Sequence, residues 1–262
     1  MTIVRHELRQ GKLPFLIWTC AIAFLLATCI FLFPEMKGEM DNVSDLFSSM
    51  GAFTAAFGMD RLNFGTMSGY YAIECGNVLG LGGAFYAALT AVSVHSKEEK
   101  DRTAEFLLTH PVSRVRIVTE KLISVWIRIT AMNLIIYAVS VGCIAAIGEE
   151  ILWKELTLEH LAFYLMQLEI AGICFGISAF LRKSGVGVGL GIAVMLYFLN
   201  LIANITEKAE FLKYITPFGF CDGADIAANG KLDAGMVAIG MAIALAGVLA
   251  AYLKYPRKDI HV

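Results

Sequence analysis

Glu169 stands near the middle of LAFYLMQLEIAGICFGISAFL, residues 161–181, a run that carries no other charge. A carboxyl group in such a run is costly in lipid. It either meets a cation or proton on a path through the protein, or it locks two helices together as a neutral or hydrogen-bonded group. Glu74, at the start of the apolar run 71–94, poses the same choice between a path and an interfacial position. Asn133 and Asn200 each interrupt an apolar run, where an amide can hydrogen-bond between helices or line a path. Glu169, Glu74, Asn133 and Asn200 are therefore the candidate residues of a translocation path. Arg128 lies one and a half turns inside its run, within reach of headgroups by extension of its guanidinium.

Other chemistries find no support. His6, His95, His110, His160 and His261 have a spacing that suits no shared metal site. Neither HExxH nor Gly-x-Ser-x-Gly occurs. The six cysteines form no CxxC pair and lie mostly in apolar runs, as small buried hydrophobes do. Gly230 and Lys231 are followed by Leu232 with the wrong glycine spacing, so there is no phosphate-cradling P-loop. A formal net charge of −2 gives no basic face for nucleic acid. The expectation is a non-catalytic chain that binds no cofactor or metal itself.

The elements that position these residues are set by the solvent. With 58% hydrophobic and 17% charged residues and a mean hydropathy of +0.68, the chain is too apolar for a water-soluble domain of its length. A helix that crosses the hydrocarbon core needs roughly 20 mostly apolar residues, since no backbone amide there can remain unpaired. Six segments qualify: 13–33, 71–94, 122–147, 161–181, 186–205 and 234–253. The first is too long for a signal-peptide core, so it is expected to remain as a span. The fold class expected is an all-α polytopic membrane protein with six transmembrane helices, forming one transmembrane domain over residues 1–262.

Basic residues resist translocation and so orient the spans. Fourteen of the lysines and arginines fall in the N-terminal segment, the second loop, the fourth loop and the tail, against six in the alternate loops. Both termini are expected in the cytoplasm. The first outer loop, 34–69, spaces Leu46, Phe47, Met50, Phe53 and Phe57 as an apolar stripe. The outer segment 206–233 is broken by Pro217, Gly219 and Gly223 and could dip into the membrane and return. No internal repeat is evident, so the inverted-repeat architecture of many secondary transporters is not supported.

The second loop, residues 97–121, reads KEEKDRTAEFLLTHPVSRVRIVTEK. Its first half holds strong helix formers, Pro111 stops that helix, and Ser113 is placed to cap a new one running into the third span. The pattern predicts a short amphipathic cytoplasmic helix, a sharp corner and a rigid link to a transmembrane helix. Such a helix either fills a partner's groove with Phe106, Leu107 and Leu108 or rests on the inner membrane surface.

The stretch Glu98, Glu99, Thr103, Ala104, Glu105, Phe106, Leu107, Leu108, Pro111, Val112, Ser113, Arg114 and Lys121 resembles the loop between the second and third spans of type-2 ABC (ATP-binding cassette) exporter permeases. There an acidic start, Thr-x-Glu-x-Leu-Leu, Pro-x-Ser-Arg and a later lysine recur. The amphipathic residues 3–12 are similar to that family's connecting helix, which makes 1–12 an interfacial helix. Arg102 and Glu120 depart from the pattern, each standing where a glycine is usual. A side chain at such a position disfavours left-handed backbone.

The resemblance implies that 97–121 is a coupling region docking on a separate ATPase. Its coupling residues would be Glu98, Glu99, Thr103, Glu105, Phe106, Leu107, Leu108, Pro111, Ser113 and Arg114. It also implies short re-entrant helices in 206–233, two copies of an ATP-binding cassette ATPase that carry ATP and magnesium, and a second permease as homodimer or related heterodimer. The home expected is a bacterial plasma membrane and the direction of transport outward. Two alternatives stay open: an ion-coupled carrier or channel using Glu169, and a non-transporting anchor that recruits a cytoplasmic protein.

Overall fold

A computed structural model describes residues 2–38, 51–56, 61–95, 97, 112–181 and 185–258. Every regular element among them is helical. Helix α1 (Thr2–Gln10) turns at Gly11 into α2 (Lys12–Gly38), and a short α3 (Ala52–Ala56) follows. The second crossing is α4 (Met67–Cys75), a π-helical stretch Gly76–Leu81, and α5 (Gly82–Val92). Then come α6 (Arg114–Ala146), α7 (Trp153–Ser178), α8 (Val186–Ile205), the short α9 (Gly223–Asn229) and α10 (Ala234–Lys254). Six of these units are long and apolar enough to cross a membrane. The stripe residues Leu46, Phe47, Met50 and Phe57, the side chain of Phe53 and the loop core 98–111 lie outside the described residues.

The helices overrun the apolar segments where polar groups find partners. Helix α6 starts at Arg114 rather than 122, with Ser113 as the expected cap accepting from the Arg116 amide at 3.3 Å. Its charged first turns are paired, Arg116 with Glu120 at 2.8 Å. Helix α2 continues past Phe33 through Pro34 to Gly38, because a proline this close to a helix end forfeits one backbone bond and does not break the helix. The fourth crossing begins at Trp153 instead of 161.

Helix α7 occupies the centre of the bundle, packed chiefly against α10 and α5. Small residues make the α7–α10 seam close. A Cβ on Gly172 would stand 2.8 Å from the Cα of Ala244, and one on Gly176 would stand 2.9 Å from that of Gly247. In the glycine run of α8, Gly185 and Gly189 face Val92, whereas Gly187 and Gly191 face open space. On the periphery, Phe24, Leu134, Phe198 and Leu245 are each more than half exposed, an apolar coat that lipid or another apolar surface must cover.

An even number of crossings returns the chain to the side it started from. Helix α1 and the 3₁₀ turn Tyr255–Arg257 lie at the same end, both held by the first turns of α6. At the far end, residues 206–233 form a 3₁₀ stretch Glu207–Tyr214, a 3₁₀ turn Gly219–Cys221 and α9. The Thr216 hydroxyl donates to the Leu196 carbonyl at 2.7 Å, about two and a half turns before the end of α8, and Phe218, Phe220 and Cys221 are buried. At about 1.5 Å per residue the chain thus folds back roughly 13 Å along α8.

Candidate functional site

At the end that carries the termini, three charges converge at the two exits of the 98–111 loop. Glu7 of α1 accepts from Lys97 at 2.6 Å and from Lys121 of α6 at 3.1 Å, and Lys121 also donates to the Val94 carbonyl at 2.5 Å. Glu7 and Lys121 are almost wholly buried. Burial pulls the Glu7 carboxyl upwards, but the ammonium groups of Lys121 and Lys97 outweigh it and hold the group below its ordinary range. Next to Lys121 in the chain, Glu120 accepts from the backbone amides of Ile3 and Val4, a turn before Glu7, at 3.0 and 3.3 Å. These are orphan donors of the α1 N-terminus, where a carboxylate is favoured. Glu120, which breaks the glycine pattern of the sequence, thus docks α1 on α6.

The same end ties in the C-terminal turn. Arg114 donates to the carbonyls of Pro256 and Lys258, at 3.3 and 2.6 Å, and Lys258 donates to Leu181 at 2.6 Å beyond the end of α7. His95, fully buried, lies 2.5 Å by Nδ1 from Ser178 Oγ and packs against the rings of Phe175 and Tyr255. Burial first, then the cations Lys121 and Lys258, push its pKa well below the ordinary value, so the ring is neutral. The residues on either side of the loop are therefore fixed to α1, α6, α7 and the C-terminal turn.

Towards the far end a cavity, half open to solvent, lies between α4, the π-helical stretch, α7, α8 and the folded-back segment. Asn77, Asn200 and Asn204 line it with the rings of Phe163, Tyr197 and Phe218. Asn204 donates to the Ala56 carbonyl at 3.2 Å, and its buried Oδ1 has no partner among the described residues. At the rim, Asp222 caps α9 by accepting from Ala224 and Asp225, and its other oxygen is held by Arg61, which also pairs with Asp225 at 2.9 Å.

The family profile described as ABC-2 family transporter protein matches residues 1–260. The chain belongs to this family. No curated protein matches it significantly. As an ABC-2 permease it is the membrane component of an ABC transporter, a family that works with an ATP-binding subunit, and its six apolar helices make it a multi-pass membrane protein.

Within this ABC-2 permease the four candidate path residues occupy four different settings. Asn200 lines the cavity. Asn133 is paired with Gln167 of α7 at 2.7 Å, a closed contact between helices. Glu74 accepts from the thiol of Cys29 at 3.4 Å, against α2. Glu169 is 1% exposed and faces Gly240 of α10, where any Cβ would collide with its carboxyl; among the described residues its Oε2 has no hydrogen-bond partner. Of the coupling residues, Ser113 caps α6 and Arg114 holds the C-terminal turn. Glu98, Glu99, Thr103, Glu105, Phe106, Leu107, Leu108 and Pro111 lie outside the described residues.

Residues that sequence reasoning passed over are Glu7, Lys97 and His95 at the loop exits, and Asn77 in the cavity. Glu7 carried a usable signal, being an acidic residue on the apolar side of an amphipathic helix. Asn77 carried one too, as a polar residue among the glycines of the second span, where a π-helical turn often marks function.

Proposed function

We propose that this permease forms, as a dimer, the membrane path of an exporter, and that a separate ATPase drives it through residues 97–121. The observation that carries this reading is the buried Glu7–Lys97–Lys121 cluster at the exits of that segment. A loop that only rested on the membrane would need no such anchorage. Force applied to it would pass through Lys97 and Lys121 into α5 and α6, and through Arg114 and Lys258 into the end of α7. The basic residues crowded at this end support a cytoplasmic location for it and for both termini. The folding back of 206–233 along α8 supports a re-entrant segment at the outer side. The cavity lined by Asn77, Asn200 and Asn204 supports a polar stretch of that path within one chain.

Co-purification with an ATP-binding-cassette protein tests the reading. Leu107→Asp with Leu108→Asp should abolish that association and the stimulation of ATPase activity. Unchanged stimulation, or labelling of a thiol introduced at position 107 by an impermeant reagent in intact cells, overturns it.

A further inference from the structure

A second recess lies at the far end and shares no lining residue with the amide-lined cavity. It lies, half open to solvent, between the start of α4, the end of α6 and the first turns of α7. Glu150, Glu155 and Glu159 all line it. They descend from solvent to interior: Glu150 is exposed, Glu155 half-buried, and Glu159 only 3% exposed. Apolar walls are supplied by Met67, Ile144, Leu152 and Leu156.

Three carboxyl groups in one recess call for compensation, and among the described residues none of the three has an ion-pair partner. The neighbouring Glu149 does, paired with Lys37 at 2.7 Å, and the far-end acids Asp222 and Asp225 share Arg61. Glu155 and Glu159 are four residues apart on one helix, an arrangement in which like charges repel. The positive end of α7 accounts for a carboxylate at Glu155 in its first turn. It does not account for Glu159 a turn deeper, whose buried Oε2 has no hydrogen-bond partner among the described residues. Leaving such an oxygen without a donor is expensive.

We infer that this recess binds an organic cation, a primary ammonium on a short linear alkyl chain, with an N–H bond to Glu159 Oε2, the charge offset by Glu155 and Glu150, and the methylenes against Met67, Leu152 and Leu156. The chemistry selects this class on two grounds. An inner-sphere metal ion needs several donors already gathered, and among the described residues no three His, Cys, Asp or Glu side chains are so grouped. A quaternary ammonium has no N–H to offer Glu159. The site is separate from the amide-lined cavity and stands independently of the proposed transport path.

The test uses the full-length chain in phosphatidylcholine nanodiscs, titrated calorimetrically with putrescine (1,4-diaminobutane). Saturable binding is expected, weakened at least tenfold by Glu159→Gln and severalfold by Glu155→Gln, and unchanged by Glu149→Gln. Tetramethylammonium should fail to displace putrescine. Should Glu159→Gln not fold, as judged by its thermal midpoint without putrescine, Glu155→Gln decides. Absence of saturable binding, equal binding by the glutamine variants, or displacement by calcium at concentrations below those of putrescine itself overturns the proposal.

Discussion

Glu7 and Lys121, 114 residues apart in the chain, meet at 3.1 Å with side chains 2% and 0% exposed. A buried pair of this kind is a weak source of net stability but a demanding one to break, because each partner strands the other. Lys97 shares the same carboxylate at 2.6 Å from the far side of the loop. Relative movement of the two loop exits therefore has to disturb a single buried group.

Lys121→Met removes one cation and strips the Val94 carbonyl of its donor, leaving Glu7 to Lys97 alone. The expected loss is about 3–5 kcal/mol, read as a lowered unfolding midpoint in detergent. Adding Glu7→Leu should recover part of it, since the stranded carboxylate is then gone. A double variant whose loss equals the sum of the two single losses would show that the residues do not act as a pair.

Acid should loosen this end. His95 is neutral in the folded protein with its pKa pushed well below 6.5 by burial and by Lys121 and Lys258, whereas the unfolded chain takes up its proton near that value. The unfolded state then binds more protons, so stability rises with pH and is lost as pH falls from 6.5 towards the folded pKa. Glu7 acts in the same direction further down. Its contribution is present above 4.5 and disappears as pH drops through its lowered value. The thermal midpoint of the wild type should fall between about pH 7 and pH 5, the window set by an ordinary histidine. That of His95→Gln should stay flatter across this window. Parallel profiles for the two would refute the assignment.

Hydropathy made the six crossings legible, because each apolar run reports its solvent residue by residue, and Ser113 announced the α6 cap by its place after Pro111. What stayed hidden depends on partners far away in the chain. Glu7 reads as one more charge of an amphipathic helix until Lys97 and Lys121 are brought to it. Glu120 looks like a missing glycine until the α1 amides of Ile3 and Val4 arrive. Asn133 and Asn200 look alike in sequence, both amides in apolar runs, yet one is closed on Gln167 and the other opens on a cavity. Glycines are densest at 185–191, whereas the close backbone approach between helices involves Gly172, Gly176 and Gly247, scattered among other small residues.

That contrast among glycines can be measured. Gly176→Ala would place a Cβ 2.9 Å from the Gly247 Cα, and backbone cannot yield as a side-chain tip can. The cost expected is about 1–3 kcal/mol from overpacking. Gly187→Ala meets nothing within 4 Å, and alanine gains roughly 1 kcal/mol of helix propensity over glycine. Its midpoint should be equal to or above that of wild type, and a matching loss in both variants would remove the seam from the account.

The two asparagines separate packing from passage. Asn133→Leu leaves the fully buried Gln167 without the amide that donates to it at 2.7 Å, a loss of about 1–3 kcal/mol for an unsatisfied buried polar group. Its thermal midpoint should fall. Asn200 lines the cavity, and among the described residues its side chain makes no hydrogen bond that ties two helices, so Asn200→Leu should leave the midpoint within a degree or two while changing the response of the assembled transporter's ATPase to its cargo. The leucine puts an apolar surface where Asn77 and Asn204 otherwise present amides beside Tyr197 and Phe218. If Asn200→Leu lowers the midpoint as far as Asn133→Leu and leaves the ATPase response intact, the amide-lined cavity is packing and the path runs elsewhere.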